Sequence, residues 1–260
     1  MSKAKGKLFV GSLLTCAILA GCGGGGSSSP PPPPTPGPSA EGVYGGTLTG
    51  SRSTAFQLLV LENGDFWSLY GTQTGSVFSI AGFVQGTGTS TNGSFTSSNG
   101  KDFGVFPAVA GTLSATYDAT AKTISGNVTG TGTNTVTFSG GPIAGSLYNY
   151  NAAASLTTVA GSWSTTSLTG EGVALTVAAS GAFTALSSLG CSFTGTFTPR
   201  ASGKNVFDVS IVFGAAPCGL PGQSASGIAL AYPLTNGKTQ LLAAATDSTR
   251  SRGAVVFGTR

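Results

Sequence analysis

The chain of 260 residues contains no histidine. That absence removes the side chain most often used as a general base near neutral pH, and with it the commonest metal ligand. Charge is scarce as well: 8% of residues are Asp, Glu, Lys or Arg, and the eight carboxylates are dispersed. Glu62 and Asp65 alone come close together, on either side of Asn63-Gly64. They read as a solvated hairpin tip, because a calcium site or a glycosidase dyad needs further groups that the neighbouring sequence does not supply. No Gly-x-Ser-x-Gly elbow or phosphate-binding loop stands out against a background of 42 glycines. Serine and threonine are plentiful, but a nucleophile needs a base and none is placed beside them. The expectation is a protein that is not an enzyme, with no catalytic, cofactor-binding or metal-binding residues.

A basic stripe is lacking too. Three of the twelve cations, Lys3, Lys5 and Lys7, sit at the extreme N-terminus, and the remaining nine, spread from Arg52 to Arg260, face eight carboxylates. Nucleic-acid binding requires clustered cations to neutralise phosphates, so that partner class is excluded.

What is present begins with those three lysines, followed by a largely apolar run from Leu8 to Ala20. A basic start and an apolar stretch too short to cross a bilayer comfortably have the layout of a secretory signal. The run, which contains Cys16, closes on Leu19-Ala20-Gly21-Cys22. This tetrapeptide resembles the lipobox of bacterial lipoproteins. The resemblance implies a signal peptide over residues 1–21, cleavage before Cys22, lipidation of Cys22 with acyl groups such as palmitate, and a membrane partner reached through that lipid. Several acyl chains on one residue make a stable anchor, at about 0.8 kcal/mol per buried methylene. Glycine rather than Asp follows Cys22, which by the same resemblance, for a Gram-negative source, points to the outer membrane, facing either the periplasm or the cell surface. Residues 22–40 then contain glycine, serine and seven prolines between Pro30 and Pro38. With no large apolar residue this stretch reads as a disordered tether, part flexible and part polyproline II spacer.

Beyond Ala40 the chain is rich in Gly, Thr, Ser, Val and Phe and shows no helical spacing of apolar residues. Apolar and small polar residues alternate instead, as in Leu113-Ser114-Ala115-Thr116-Tyr117, Val173-Ala174-Leu175-Thr176-Val177 and Phe207-Asp208-Val209-Ser210-Ile211. Such alternation puts one face of a strand inward and one outward. Turn pairs lie between, at Asn63-Gly64, Asn92-Gly93, Asn99-Gly100, Ser180-Gly181, Ser202-Gly203 and Asn236-Gly237. Asn-Gly accepts the positive φ of tight hairpins, which predicts antiparallel neighbours.

The body also repeats. Gly42-Val43-Tyr44 opens one half and Gly161-Ser162-Trp163 the other; each leads to an apolar strand, a turn at Gly64 or Gly181, and then Phe66 or Phe183. The halves close on short strands at Thr135 to Ser139 and Ala254 to Gly258. We therefore expect an all-β fold with two tandem antiparallel barrels of about eight strands, over residues 41–148 and 159–260, joined by a linker at 149–158 that is extended or a single helical turn. Alternation and turn spacing fit a sandwich as well as a barrel.

The lipobox and the two halves together resemble two-lobed surface lipoproteins, a class that includes the transferrin-binding and factor-H-binding types. This resemblance implies a binding module for a protein or a glycan, and carries over no site residues. Gly161-Ser162-Trp163 is similar to the Gly-x-Trp on the first strand of lipocalins, which implies a carrier for a small apolar ligand. Tyr44 and Trp163 also read simply as large aromatics filling barrel ends, and Trp67 as core or as binding surface. A third possibility is a structural component of the envelope. Apart from Cys16 and Cys22, only Cys191 and Cys218 remain, and an isolated pair in an exported protein is expected to form a disulfide.

Overall fold

The computed structural model describes residues 38–104, 107–130 and 135–260. The expected signal peptide, Cys22 and the tether up to residue 37 lie outside them.

The described residues form one compact unit, built from two closed eight-stranded antiparallel barrels. The first lobe holds β1 (Gly42–Thr49), β2 (Ala55–Val60), β3 (Asp65–Thr74), β4 (Val77–Thr87), β5 (Thr89–Thr91), β6 (Ser94–Asp102), β7 (Val109–Asp118), β8 (Thr123–Gly130) and β9 (Thr135–Gly141). Short β5 continues the path of β4 past Gly88, and both pair with β6: Val84 opposite Asp102, and Ser90 opposite Phe95. That double pairing closes the ring, while β9 pairs back onto β1. The second lobe is a simple meander of β10 (Gly161–Ser167), β11 (Gly172–Val177), β12 (Ala182–Ser187), β13 (Ser192–Pro199), β14 (Phe207–Phe213), β15 (Ser224–Pro233), β16 (Thr239–Thr246) and β17 (Gly253–Thr259). It is sealed by β17 against β10. Closure into barrels leaves no long sheet edge to be protected, which suits strands so poor in charge.

Tight turns fall where glycine permits them: Asn92 and Gly93 both have positive φ (49° and 79°), as a two-residue hairpin of primed type demands. Asn99-Gly100 differs from expectation. It lies inside β6, where the register shifts between Ser97 and Gly100, so the pair forms a bulge and the strand continues. Asn99 holds the bulge in place by accepting from the Thr87 amide at 2.8 Å.

The last residues expected in the tether belong to the first lobe. Ala40 is fully buried and its amide donates to Ser90 Oγ at 3.0 Å, while Tyr117 donates to the Pro38 carbonyl at 2.5 Å. Similarly, the connection between lobes is longer than the sequence indicates: β9 ends at Gly141, and Ser146 makes a β-bridge to Leu234 of the second lobe. Its one helical turn, α1 (Leu156–Val159), follows the Ala152-Ala153-Ala154 stretch.

Two strands are buried along nearly their whole length on both faces, β2 and β16. The reason is that the lobes pack side by side. Leu59, Trp67, Leu69, Phe78 and Phe83 of the first lobe meet Ile228, Leu230, Tyr232, Leu242 and Val255 of the second in one apolar layer. Trp67, stacked on Phe83 with centroids 5.7 Å apart, is therefore part of the packing between lobes. Two polar pairs are buried in this layer: Tyr232 donates to Gln57 Oε1 at 2.8 Å, and Gln240 Oε1 accepts from the Phe78 amide at 3.0 Å. Burial raises the Tyr232 phenol well above its ordinary pKa, keeping it a neutral donor.

Candidate functional site

The two barrels differ inside. In the first, Tyr44, Phe56, Phe66, Phe95, Tyr117 and Phe138 converge and fill the interior. Phe66 and Phe95 meet edge to face at 5.9 Å, Phe56 and Phe138 at 5.3 Å. Tyr70 adds a polar strut by donating to Asp102 at 2.6 Å, and its phenol is pushed up by burial and by that carboxylate.

In the second barrel, Trp163 at one end apart, the aromatic side chains come from one side. Phe183, Phe193, Phe197, Phe207 and Phe213 project inward from β12, β13 and β14. The opposite wall, β15 and β16, offers Ala225, Gly227, Ala229, Ala231, Ala243 and Ala245, with Leu241 as its one large inward residue. Small residues on one wall cannot reach the aromatics on the other, and a cavity remains that continues outward to Ala81, Phe103 and Gly104 of the first lobe, about 540 Å³ in all. It is lined by apolar groups, including Leu175, Phe193, Phe197, Ile211 and Ala243. An eight-stranded barrel is just wide enough to hold one small ligand, and a volume of this size lies within the ordinary range of small-molecule sites.

One end of this barrel is closed. Trp163, almost fully buried, donates its indole N–H to the Val159 carbonyl at 2.7 Å, tying β10 to α1. Arg260, at the chain end, lies over the indole with its guanidinium carbon 4.0 Å from the ring centroid. Its two terminal nitrogens donate to the carbonyls of Ala160 (2.8 Å) and Thr158 (3.0 Å). The first lobe repeats the motif without the arginine: the Tyr44 hydroxyl donates to the Ala40 carbonyl at 2.9 Å, also four residues upstream. Burial pushes the Tyr44 phenol up to about 12, with smaller contributions from Tyr117 and Glu41. The sequence reading of Tyr44 and Trp163 as plugs at barrel ends describes their surroundings well.

The other end carries the mouth. There the loop 214–223 folds inward, so that Leu220 and Cys218 join the interior cluster. A disulfide between Cys191 and Cys218, the pairing expected from the sequence, fastens this loop to the β12–β13 hairpin. Arg252 fastens it again by donating to the Gly219 carbonyl at 2.7 Å. The β16–β17 hairpin that carries Arg252 is organised by Asp247. That carboxylate accepts from the Ser251 and Arg252 amides, both at 2.8 Å, and from the hydroxyls of Ser251 and Thr249. Although burial opposes it, these hydrogen bonds lower the Asp247 pKa to about 2. Arg250, at the tip of the same hairpin, reaches the first lobe and donates to the carbonyls of Gln85 (2.6 Å) and Asn99 (2.9 Å).

Glu62 and Asp65 diverge. Glu62 pairs with Arg200 of the second lobe at 2.9 Å, whereas Asp65 accepts from Asn63 and Thr87, both at 2.8 Å. Among the described residues no three His, Cys, Asp or Glu side chains group as metal ligands. The cavity itself was not read from the sequence. Its signal was the run of alanines at 225, 229, 231, 243 and 245, visible once the register of β15 against β16 places Ala229 opposite Ala243.

Comparison of the chain with protein-family models, with curated proteins and with solved structures finds no match.

Proposed function

We propose that this protein is an exported, lipid-anchored carrier that holds a small apolar molecule inside its second barrel. The observation that carries the reading is the cavity: a closed floor, an apolar wall and a mouth braced by a disulfide. The first lobe, filled and packed against the hollow one, serves as a rigid support. The Leu19-Ala20-Gly21-Cys22 stretch supports attachment through acyl groups on Cys22, with the outer membrane as the destination. Binding here needs no chemistry on the ligand, and the proposed role is not enzymatic.

The test is native mass spectrometry of the mature Cys22→Ser form purified without detergent, alongside an Ala243→Phe variant. A bound small molecule in the first and none in the second supports the carrier reading. An empty cavity that also takes up no added apolar dye overturns it.

A second reading, docking of a protein or glycan, is favoured by one observation. Leu186, Leu189 and Val212 are each more than half exposed on the same side of the mouth. Loss of binding to envelope partners in a triple substitution of these residues to Ser, with dye uptake intact, favours that reading instead.

A further inference from the structure

The ring of the second barrel is not equally tight all round. Strands β10 and β17 are paired over three residues, Thr165 to Ser167 against Val256 to Gly258, while every other neighbouring pair shares five or more. Gly253 to Val255 pair with β16 and have no partner on the β10 side, because β10 turns away after Ser167, whose amide bonds to the Glu171 carbonyl at 2.8 Å. The strands therefore part near the mouth. The lining of the cavity reaches this parting, at the Ser167 to Glu171 turn, Ala254 and Phe103 of the first lobe, as well as Pro217 and Gly219 of the loop at the barrel end. The end of the barrel, by contrast, is occupied by Leu220, which is 4% exposed and held by the disulfide and by Arg252.

Chemistry is segregated along the same path. The cavity wall from Phe193 to Phe197, about 13 Å along one strand, presents only apolar side chains and Gly195. Of the two buried hydroxyl groups of the interior, Thr165 donates to the Val173 carbonyl at 2.9 Å, and Ser187, at the disulfide end, accepts from the Cys191 amide at 3.1 Å. A polar group pushed to the deep end would lose its water and find no partner. At the parting, Ser167, Thr169 and Glu171 form a hydroxyl-to-carboxylate chain with steps of 2.9 and 3.2 Å. Such a chain receives a group that donates a hydrogen bond, and Glu171 and Arg252 oppose each other in the lining, so that neither sign of charge is favoured there.

We infer that the cavity holds a single-chain amphiphile with its hydrocarbon chain inside the barrel and an uncharged, hydrogen-bonding end in the slot between β10 and β17. This inference rests on the carrier reading and adds the ligand class, its orientation and its route. A volume of about 540 Å³ suits one chain, and the slot is the side on which the wall is already parted.

The experiment is displacement of the apolar dye N-phenylnaphthylamine from the mature Cys22→Ser form, followed at equilibrium and by stopped flow. Hexadecanol is expected to displace the dye, and its α,ω-diol to bind at least about tenfold more weakly, because its second hydroxyl must be buried without a partner. Palmitate is expected to bind more weakly than hexadecanol. Ala254→Phe, and separately Thr169→Trp on the exposed turn, should slow hexadecanol uptake at least about tenfold, with the far-ultraviolet spectrum unchanged. Leu220→Ala should change uptake less than either slot variant does. A diol equal to hexadecanol overturns the orientation, and palmitate equal or tighter overturns the uncharged end. Faster uptake in Leu220→Ala, with both slot variants unaffected, overturns the route. If wild type binds neither dye nor hexadecanol, the carrier reading itself falls.

Discussion

Arg260 covers Trp163 at 4.0 Å and, from the same guanidinium, holds the carbonyls of Thr158 and Ala160. One residue thus joins the last strand, the first strand and the helical turn that precedes it. Arg260→Ala removes a cation–π contact and two charge-assisted hydrogen bonds at a partly solvated site, and should cost about 1–3 kcal/mol. Arg260→Lys should recover less than half of that, since an ammonium cannot span both carbonyls while lying flat on the indole. Urea unfolding followed by tryptophan fluorescence measures both.

The unequal interiors should respond unequally to truncation. Phe95→Ala, in the filled barrel, opens a new void and should cost about 3–5 kcal/mol. Phe193→Ala borders space that is already empty and should cost less than half as much. Ala243→Leu, which adds carbon to that space, should leave stability unchanged or raise it while dye binding falls. Denaturation midpoints for the three variants, compared with dye affinity, decide the matter.

Acid should loosen the mouth. Asp247 titrates near pH 2 in the folded protein against an ordinary value of 3.8, so the folded state binds its proton more weakly than the unfolded chain does. The stabilisation from this carboxylate is present above about pH 4 and is lost as pH falls through about 2. Hydrogen exchange of the Ser251 and Arg252 amides should accelerate over that interval beyond the intrinsic pH effect, and Asp247→Asn should remove the dependence. No such change in Asp247→Asn relative to wild type would count against the hydrogen-bond pattern described.

Both lobes should unfold together. Leu242 faces the first lobe from the middle of β16, and a Cβ at Gly253 would lie 2.6 Å from the Phe83 ring. Leu242→Asp buries an unpaired charge there, and Gly253→Val forces side chain into ring. Either change should turn a single calorimetric transition into two. Reduction of Cys191–Cys218, by comparison, removes a loop-closure constraint worth about 3–4 kcal/mol from the second lobe alone.

Much of this architecture was legible in the chain because period-2 alternation and Asn-Gly turns act locally. Leu175 is flanked by Ala174 and Thr176, and Asn92-Gly93 turns whatever surrounds it. The doubling of the barrel could be read from Tyr44 and Trp163 standing at the same place in each half. Closure into rings and the packing of lobes depend on residues far apart in sequence, such as Val84 beside Asp102 or Leu242 beside the first lobe, and no local pattern announces them. Asn99-Gly100 shows the reverse problem, a strong turn signal that long-range pairing with β7 overrode. The cavity was hidden for a related reason: alanine reads as a neutral residue until its facing partners are known.

Strands β15 and β16 have an empty space on one side and the first lobe on the other. A wall with nothing to lean on inward would ordinarily collapse or fluctuate, since side chains facing a void lose their dispersion contacts. Here the outward face of each strand, through Ile228, Leu230, Leu242 and Ala244, supplies the packing that the inward face gives up. Selection can therefore reshape the inner alanines, enlarging or narrowing the space for one guest or another, while the outer face keeps the strands in place. The second barrel has room to vary because the first acts as its buttress.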